Sequence, residues 1–311
     1  MHFDHILEAQ QFDASWLIRE FFPLADEMAK IVESGNRCDD LHGKSMVSFF
    51  YESSTRTRAS HEFAMWWLGG TVVFSTENAS EFSSVVKGET LANTICVLNR
   101  YRPNVIVLRH HEEGAAKIAA QFSRVPIINA GDGTGQHPTQ ALLDIYTIYK
   151  RFGHIDGIKI AIVGDLKNGR TVRSLAYLLG KFPGVVIYFV APASSGVRED
   201  IKDYLRRHNT TFSEETDLRE VAPVVDVVYQ TRTQKERGSI LDRSDPTQGY
   251  FVVDDSILAL MRANAAILHP LPKLDEITPS VDRDPRAAYL TDQIDAGLFT
   301  RMALLKTLLL P

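Results

Sequence analysis

Apolar positions along the chain switch between helical and strand spacing. Residues 14–34 place Leu17, Phe21, Leu24, Met28 and Ile31 at three- and four-residue steps and stop at Gly35, which predicts a helix. The next run, Ser45-Met-Val-Ser-Phe-Phe-Tyr51, is apolar and aromatic and predicts a buried strand. Ser53-Ser-Thr55 then offers hydroxyls where a helix should start, and 59–68 continue it. A short β-branched strand is expected at 71–75 and a mobile loop at 76–88. Helices follow at 90–101 and 112–122, with strands at 104–109 and 125–130. His137 opens a helix running to about Phe152, with Pro138 in its first turn. A second series has strands at 159–163, 185–190, 224–230 and 265–268 and helices at 170–182, 198–208 and 256–263. The last helix, 296–310, is apolar enough to pack back on the body.

This alternation predicts an α/β protein with two doubly wound parallel-sheet domains linked by helices. The expected first domain spans 1–137 and 292–311, because the C-terminal helix returns to it. The expected second domain spans 151–288, with a linking helix at about 138–150.

Composition narrows the functional classes. With 311 residues, 44% hydrophobic and 23% charged, the chain reads as a globular protein with room for two domains. A net charge of −5 gives no basic surface for nucleic acid. No apolar run reaches the length of a membrane span. The opening Met1-His-Phe-Asp-His-Ile6 lacks the basic start and apolar core of a secretion signal. A cytoplasmic location is expected, or an organellar one if a transit peptide has been removed. The two cysteines, Cys38 and Cys96, are far apart and predict a reducing compartment without a disulfide frame. The ten histidines are scattered, with no metal-ligand spacing.

Open parallel sheets place ligands at the carboxyl ends of their strands, and the notable polar clusters fall there. After the first strand, a helix N-terminus with Ser54, Thr55, Thr57 and the planar fork of Arg56 suits an oxyanion, phosphate above all. A capped helix with solvated arginines is the plainer alternative. Arg109 ends the next strand and either reaches a carbonyl or phosphate oxygen or pairs with Glu112 or Glu113. The glycine-rich turn Asn129-Ala-Gly-Asp-Gly-Thr-Gly-Gln136 leads to His137, either an oxyanion donor or a structural histidine in a capping turn. That turn does not match the dinucleotide fingerprint.

Ser54-Thr-Arg-Thr-Arg58 resembles the carbamoyl-phosphate signature of the aspartate/ornithine carbamoyltransferases. His137-Pro-Thr-Gln140 is similar to a second signature, and Lys87-Gly-Glu-Thr-Leu91 to the loop that completes the site from a neighbouring subunit. His269-Pro-Leu-Pro272 and Thr231-Arg-Thr-Gln-Lys-Glu-Arg237 resemble the aspartate branch; the Cys and Ser-Met-Gly elements of the ornithine branch are missing. The similarity runs from about residue 14 to the last helix. Departures are Ala59-Ser-His61 for the usual Leu-Ser-Phe, the pair Trp66-Trp67, and Lys273 for the usual Arg.

The resemblance implies carbamoyl transfer from carbamoyl phosphate to L-aspartate in pyrimidine biosynthesis, with no cofactor and no metal. It implies that Ser54, Thr55, Arg56 and Thr57 hold the phosphate, that Thr57, Arg109 and His137 polarise the carbonyl, and that Gln140 holds the carbamoyl nitrogen. Ser83 and Lys87 come from the adjacent subunit of a homotrimer, Lys87 serving both substrates. Arg170, Arg232 and Gln234 bind the aspartate carboxylates, and the backbone at Leu271 and Pro272, joined by a cis bond, orients the amino groups. Arg56, Thr57, Arg109 and His137 form the implied catalytic group. Regulatory chains or a pathway assembly are further partners that the resemblance allows; nucleic acid and membrane are not.

Overall fold

Every strand pairing among the described residues is parallel, so each strand needs a crossover, and helices supply most of them. The computed structural model describes residues 2–232 and 251–310. The chain divides into two units, Met1–Leu143 with Asp295–Pro311, and Asp144–Ile294. Both divisions fall inside helices, Pro138–Phe152 and Asp292–Leu309.

The first unit holds β1 (Ser45–Phe50), β2 (Thr71–Thr76), β3 (Val105–His110) and β4 (Ile127–Asp132), in the order β2-β1-β3-β4. The helices Thr55–Trp67, Leu91–Arg100 and Ala115–Phe122 lie in the crossovers. Strands β1 and β3 are buried almost throughout, which is why they read as unbroken apolar runs. Val47, Phe49, Ile106, Leu108 and Ile127 belong to one core with Ile95 and Leu98 of the Leu91–Arg100 helix. The two sheet edges differ. Ile6 covers β4, accepting from Asn129 N–H at 2.8 Å and donating to the Ile127 carbonyl at 2.8 Å. Strand β2 ends the other side with Val73 and Phe74 57% and 46% exposed.

Two local features depart from the sequence reading. The first helix is not uniform: it widens to i→i+5 bonding over Leu17–Phe21 before Phe22–Ser34. Pro23, which has no N–H to give, sits just inside that second segment, and the wider turn accommodates it. The stretch 76–88, expected as a loop, contains the short helical turns Ala79–Phe82 and Ser84–Lys87. Ser83 links them, its hydroxyl donating to the Ala79 carbonyl at 2.6 Å and accepting from Val85 N–H at 3.2 Å.

The second unit holds β5 (Lys159–Val163), β6 (Val186–Val190), β7 (Thr211–Glu215), β8 (Val227–Gln230) and β9 (Ala266–Leu268), in the order β7-β6-β5-β8-β9. The sequence reading missed β7. Thr-Phe-Ser-Glu-Glu has one apolar residue and none that is fully buried, as suits an edge strand held by the ladder to β6. Val163, Val190 and Val228 share a core with Val253, Ile257 and Tyr289.

Candidate active site

Strand β1 runs into the Thr55–Trp67 helix through Ser54, which has the non-helical φ −158°, ψ 80° of a cap position. The Ser54 side chain makes no capping bond to the helix. The first-turn N–H groups therefore lack both intrahelical acceptors and that local side-chain acceptor, and they lie at the positive end of the helix dipole. Thr55 and Arg56 are exposed, and Thr57 is buried. The turn is held from within the same helix. Ser60 Oγ donates to the carbonyls of Arg56 (2.7 Å) and Thr57 (3.1 Å), and His61 Nδ1 donates to the Thr57 carbonyl at 2.7 Å. Burial first, and then the Arg301 charge, hold His61 well below its usual range, so it is the neutral Nδ1–H tautomer. The second arginine of the motif turns to acids: Arg58 pairs with Glu77 at 3.3 Å and Glu62 at 4.0 Å.

Arg109 is the last residue but one of β3, opposite Phe50 of β1. Its partners include Glu52, 3.3 Å from Nε, and the Ala130 carbonyl, 3.3 Å from Nη1. The sequence reading offered a ligand oxygen or, as the acid partner, Glu112 or Glu113. Parallel pairing of β1 and β3 puts residues just past both carboxyl ends side by side, and so brings Glu52 instead. The turn before His137 is built on Asp132, whose carboxylate accepts from Gly114 N–H (2.9 Å), Gln136 N–H (2.7 Å) and Asn129 Nδ2 (3.1 Å). Gly133, at φ +49°, has the chain's own backbone at 111–113 where a Cβ would stand. Packing against that backbone by itself requires a glycine there. His137 is 3% exposed, with Thr139 Oγ1 3.3 Å from Nδ1, and Gln140 is buried one turn on. Ser54–Thr57, Arg109, His137 and Gln140 thus lie at or after the carboxyl ends of three neighbouring strands. Ser83 and Lys87 follow β2, half-buried and exposed respectively.

In the second unit, Arg170, Arg232 and Leu271 follow β5, β8 and β9, again neighbours. Arg170 is buried and opens the Arg170–Leu179 helix after a turn in which Asp165 accepts from Asn168 N–H at 3.1 Å. The backbone before Arg232 is fixed at Thr231, which donates from both N and Oγ1 to the Val163 carbonyl at 2.8 Å. This is possible because Gly164, at φ +118°, has no side chain: a Cβ would lie 2.5 Å from the Thr231 carbonyl oxygen. Gln234 lies outside the described residues.

His269 organises the loop after β9. Its Nδ1 accepts from Leu271 N–H at 2.7 Å, so Nε2 carries the proton and donates to Glu276 at 2.8 Å. Burial raises the Glu276 carboxyl, but bonds from His269 and the Leu274 N–H outweigh it and leave it below its usual range. Leu271 has φ +53°, and its bond to Pro272 is cis. Lys273 salt-bridges Asp282 at 2.9 Å and donates to the Ile277 carbonyl at 3.3 Å, a compact bracing that needs no guanidinium fork. Behind the loop, His269 N–H donates to Gln293 Oε1 (2.9 Å), Gln293 Nε2 to Asp144 (2.6 Å), and Tyr229 Oη to Asp144 (2.8 Å). The sequence reading found no role for Glu52, Glu77, Asp144 or Glu276. Glu52, Glu77 and Asp144 act on residues distant in the chain, and Glu276 acts within the loop after β9.

Two family models match the chain. One, described as "Aspartate/ornithine carbamoyltransferase, carbamoyl-P binding domain", covers residues 4–150, and the other, described as "Aspartate/ornithine carbamoyltransferase, Asp/Orn binding domain", covers 156–308. The chain belongs to the aspartate/ornithine carbamoyltransferase family. It is 54% identical to the chloroplastic aspartate carbamoyltransferase of Arabidopsis thaliana over 98% of this chain and 77% of that one. It is 45% identical to the aspartate carbamoyltransferase catalytic subunit of Methanocaldococcus jannaschii over 94% of each. Among solved structures, the aspartate transcarbamoylase of Trypanosoma cruzi with N-(phosphonacetyl)-L-aspartic acid matches with a TM-score of 0.92 and 38% identity, over 99% of this chain and 96% of that one.

Proposed function

We propose that the chain transfers the carbamoyl group of carbamoyl phosphate to the α-amino group of L-aspartate, giving N-carbamoyl-L-aspartate and phosphate, a step of pyrimidine biosynthesis. The observation that carries this reading is the unbroken donor set. The uncapped helix start with Arg56 suits a phosphate, and the cations Arg170 and Arg232 at neighbouring strand ends suit a dicarboxylate.

In this reading Ser54, Thr55, Arg56 and Thr57 hold the phosphate. Thr57, Arg109 and His137 donate to the carbamoyl oxygen, and Gln140 holds the carbamoyl nitrogen. Arg170, Arg232 and Gln234 bind the carboxylates of aspartate, while the backbone at Leu271 and Pro272 orients the amino groups. The neutral amine attacks the carbamoyl carbon; the C–N bond forms, the C–O bond to phosphate breaks, and the amine proton passes to a phosphate oxygen. Charge grows on the carbamoyl oxygen and on the leaving phosphate. Donors already in place there contribute on the order of 3 kcal/mol each to the transition state, and holding the two substrates together supplies much of the rest. Incubation with carbamoyl phosphate and, separately, aspartate, ornithine and N-acetylornithine tests the assignment. Carbamoyl-aspartate alone is expected; turnover with another acceptor only, or with none, would refute it.

The active unit of this proposal is a homotrimer in which Ser83 and Lys87 act in the neighbour's site, Lys87 on both substrates. Phe82 and Val86, beside these two residues, are 77% and 61% exposed, as suits a segment that a second copy covers. Lys87→Ala and His137→Ala chains, refolded together in equal amounts, should give mixed rings in roughly three quarters of trimers, each with one native site of three. About a quarter of wild-type activity should return. Recovery no greater than the sum of the two variants, with mixed rings confirmed by native mass spectrometry, would exclude a shared site. We place the enzyme in the cytoplasm or, as the names of the plant relatives favour, in an organelle.

A further inference from the structure

The phosphate turn lacks one thing that its sequence would ordinarily supply. In a capping box, the cap side chain accepts from the N–H three residues on, and the side chain there reaches back to the cap N–H. Here those positions are Ser54 and Thr57, and both hydroxyls are proposed ligands of carbamoyl phosphate. The Ser54 side chain makes no bond to the helix. The Ser54 N–H instead donates to Glu77 Oε1 at 2.8 Å, across 23 residues of chain. The other oxygen of the same carboxylate lies 3.3 Å from Arg58 Nη2. Arg58 Nη1 in turn donates to Ser75 Oγ at 2.9 Å, at the end of the strand that leads to Glu77.

We infer that Glu77 is a positioning residue for carbamoyl phosphate: it supplies, from outside the helix, the half of the capping box that the Thr57 side chain would otherwise make, and so leaves the Thr57 hydroxyl to the substrate. Its carboxylate grips both ends of the turn, the cap N–H and the Arg58 side chain. It also pairs with the charge of Arg58, the second arginine of the motif. Glu77 itself touches no substrate. This inference rests on the proposed phosphate role of the turn.

Glu77→Ala and Glu77→Gln test it, because Gln keeps an acceptor for the Ser54 N–H and loses only the charge. The readouts are calorimetric binding of inorganic phosphate, KM and kcat with carbamoyl phosphate, and thermal melting. In Ala, the phosphate Kd and the carbamoyl-phosphate KM should both rise about tenfold, with kcat within about threefold of wild type. In Gln, both should return to within about threefold of wild type. Unchanged phosphate binding in Ala, whatever the melting temperature, overturns the inference, as does a Gln variant as impaired as Ala. If Ala does not fold, Gln and Glu77→Asp stand in its place: normal phosphate affinity in the shortened Asp, whose oxygen cannot reach the Ser54 N–H, overturns it equally. Wild-type protein that binds phosphate yet makes no carbamoyl-aspartate would fail the proposed reaction, while the phosphate affinities would still decide the role of Glu77.

Discussion

The proposed phosphate ligands and the proposed aspartate ligands are built in different ways. Ser54, Thr55, Arg56 and Thr57 come from one turn, with Thr55 and Arg56 exposed, and the turn is steadied by its own helix through Ser60 and His61. Arg170, Arg232 and Leu271 come from three strands, and the Leu271 loop stands on a buried chain of side chains from Tyr229 through Asp144 and Gln293 to His269. A local turn can be recognised from adjacent residues. The motif of the Leu271 loop is legible in the same way, but its distant props are not, and damage to them should reach the whole unit.

The largest expected effect is on the local turn. Arg56→Ala should lower turnover by about a thousandfold or more, since it removes a charged donor from the growing phosphate charge. Its melting temperature should stay within a degree or two, because Arg56 is exposed; near-wild-type turnover would dismiss the anion site. On the other side, Arg170→Ala and Arg232→Ala should raise the aspartate KM roughly ten- to a hundredfold and leave inorganic phosphate binding unchanged. A parallel loss of phosphate binding would break the separation of the two roles.

The props should show the reverse pattern. Asp144→Ala strands the Tyr229 hydroxyl and the Gln293 amide in a buried site and should cost about 2–4 kcal/mol, read as a melting temperature several degrees lower. Tyr229→Phe should cost less, about 1–2 kcal/mol. Burial and the Asp144 carboxylate keep that phenol protonated far above its usual range, so no titration competes with the comparison.

The smallest effect is on pH dependence. Burial, with His111 beside it, lowers His110 to about 4, and His61 is held neutral beneath the phosphate turn. The folded protein leaves both unprotonated where the unfolded chain, near 6.5, takes up protons. Stability therefore rises with pH in that window and is lost as pH falls below 6.5; for His110 the loss levels off near 4. Melting temperature should fall by a few degrees between pH 6.5 and 5, before most carboxylates titrate. His110→Phe and His61→Phe should each flatten that slope, and an unchanged slope in both would contradict the neutral assignment.

The sequence by itself determined the alternation of strands and helices, the parallel class, and the candidate site residues, because each signal lies within a few neighbouring positions. Ser54-Thr-Arg-Thr-Arg58 shows a helix start with hydroxyls and cations, and the apolar runs of β1 and β3 show central strands. Only the tertiary structure showed which acids hold the second arginine of that motif. Arg56 and Arg58 look alike in sequence, and Arg58 is set apart by Glu62, one turn on, and by Glu77 across a strand and its turn. It likewise decided that Glu52 pairs with Arg109, that Thr57–Arg58 is braced by a neutral histidine, and that Asp144 underpins the loop after β9. These are contacts between residues far apart in the chain or on hidden faces of helices. Local propensity carries no information about them, and the pairing of Glu52 with Arg109 exists only once parallel pairing has brought the carboxyl ends of β1 and β3 together.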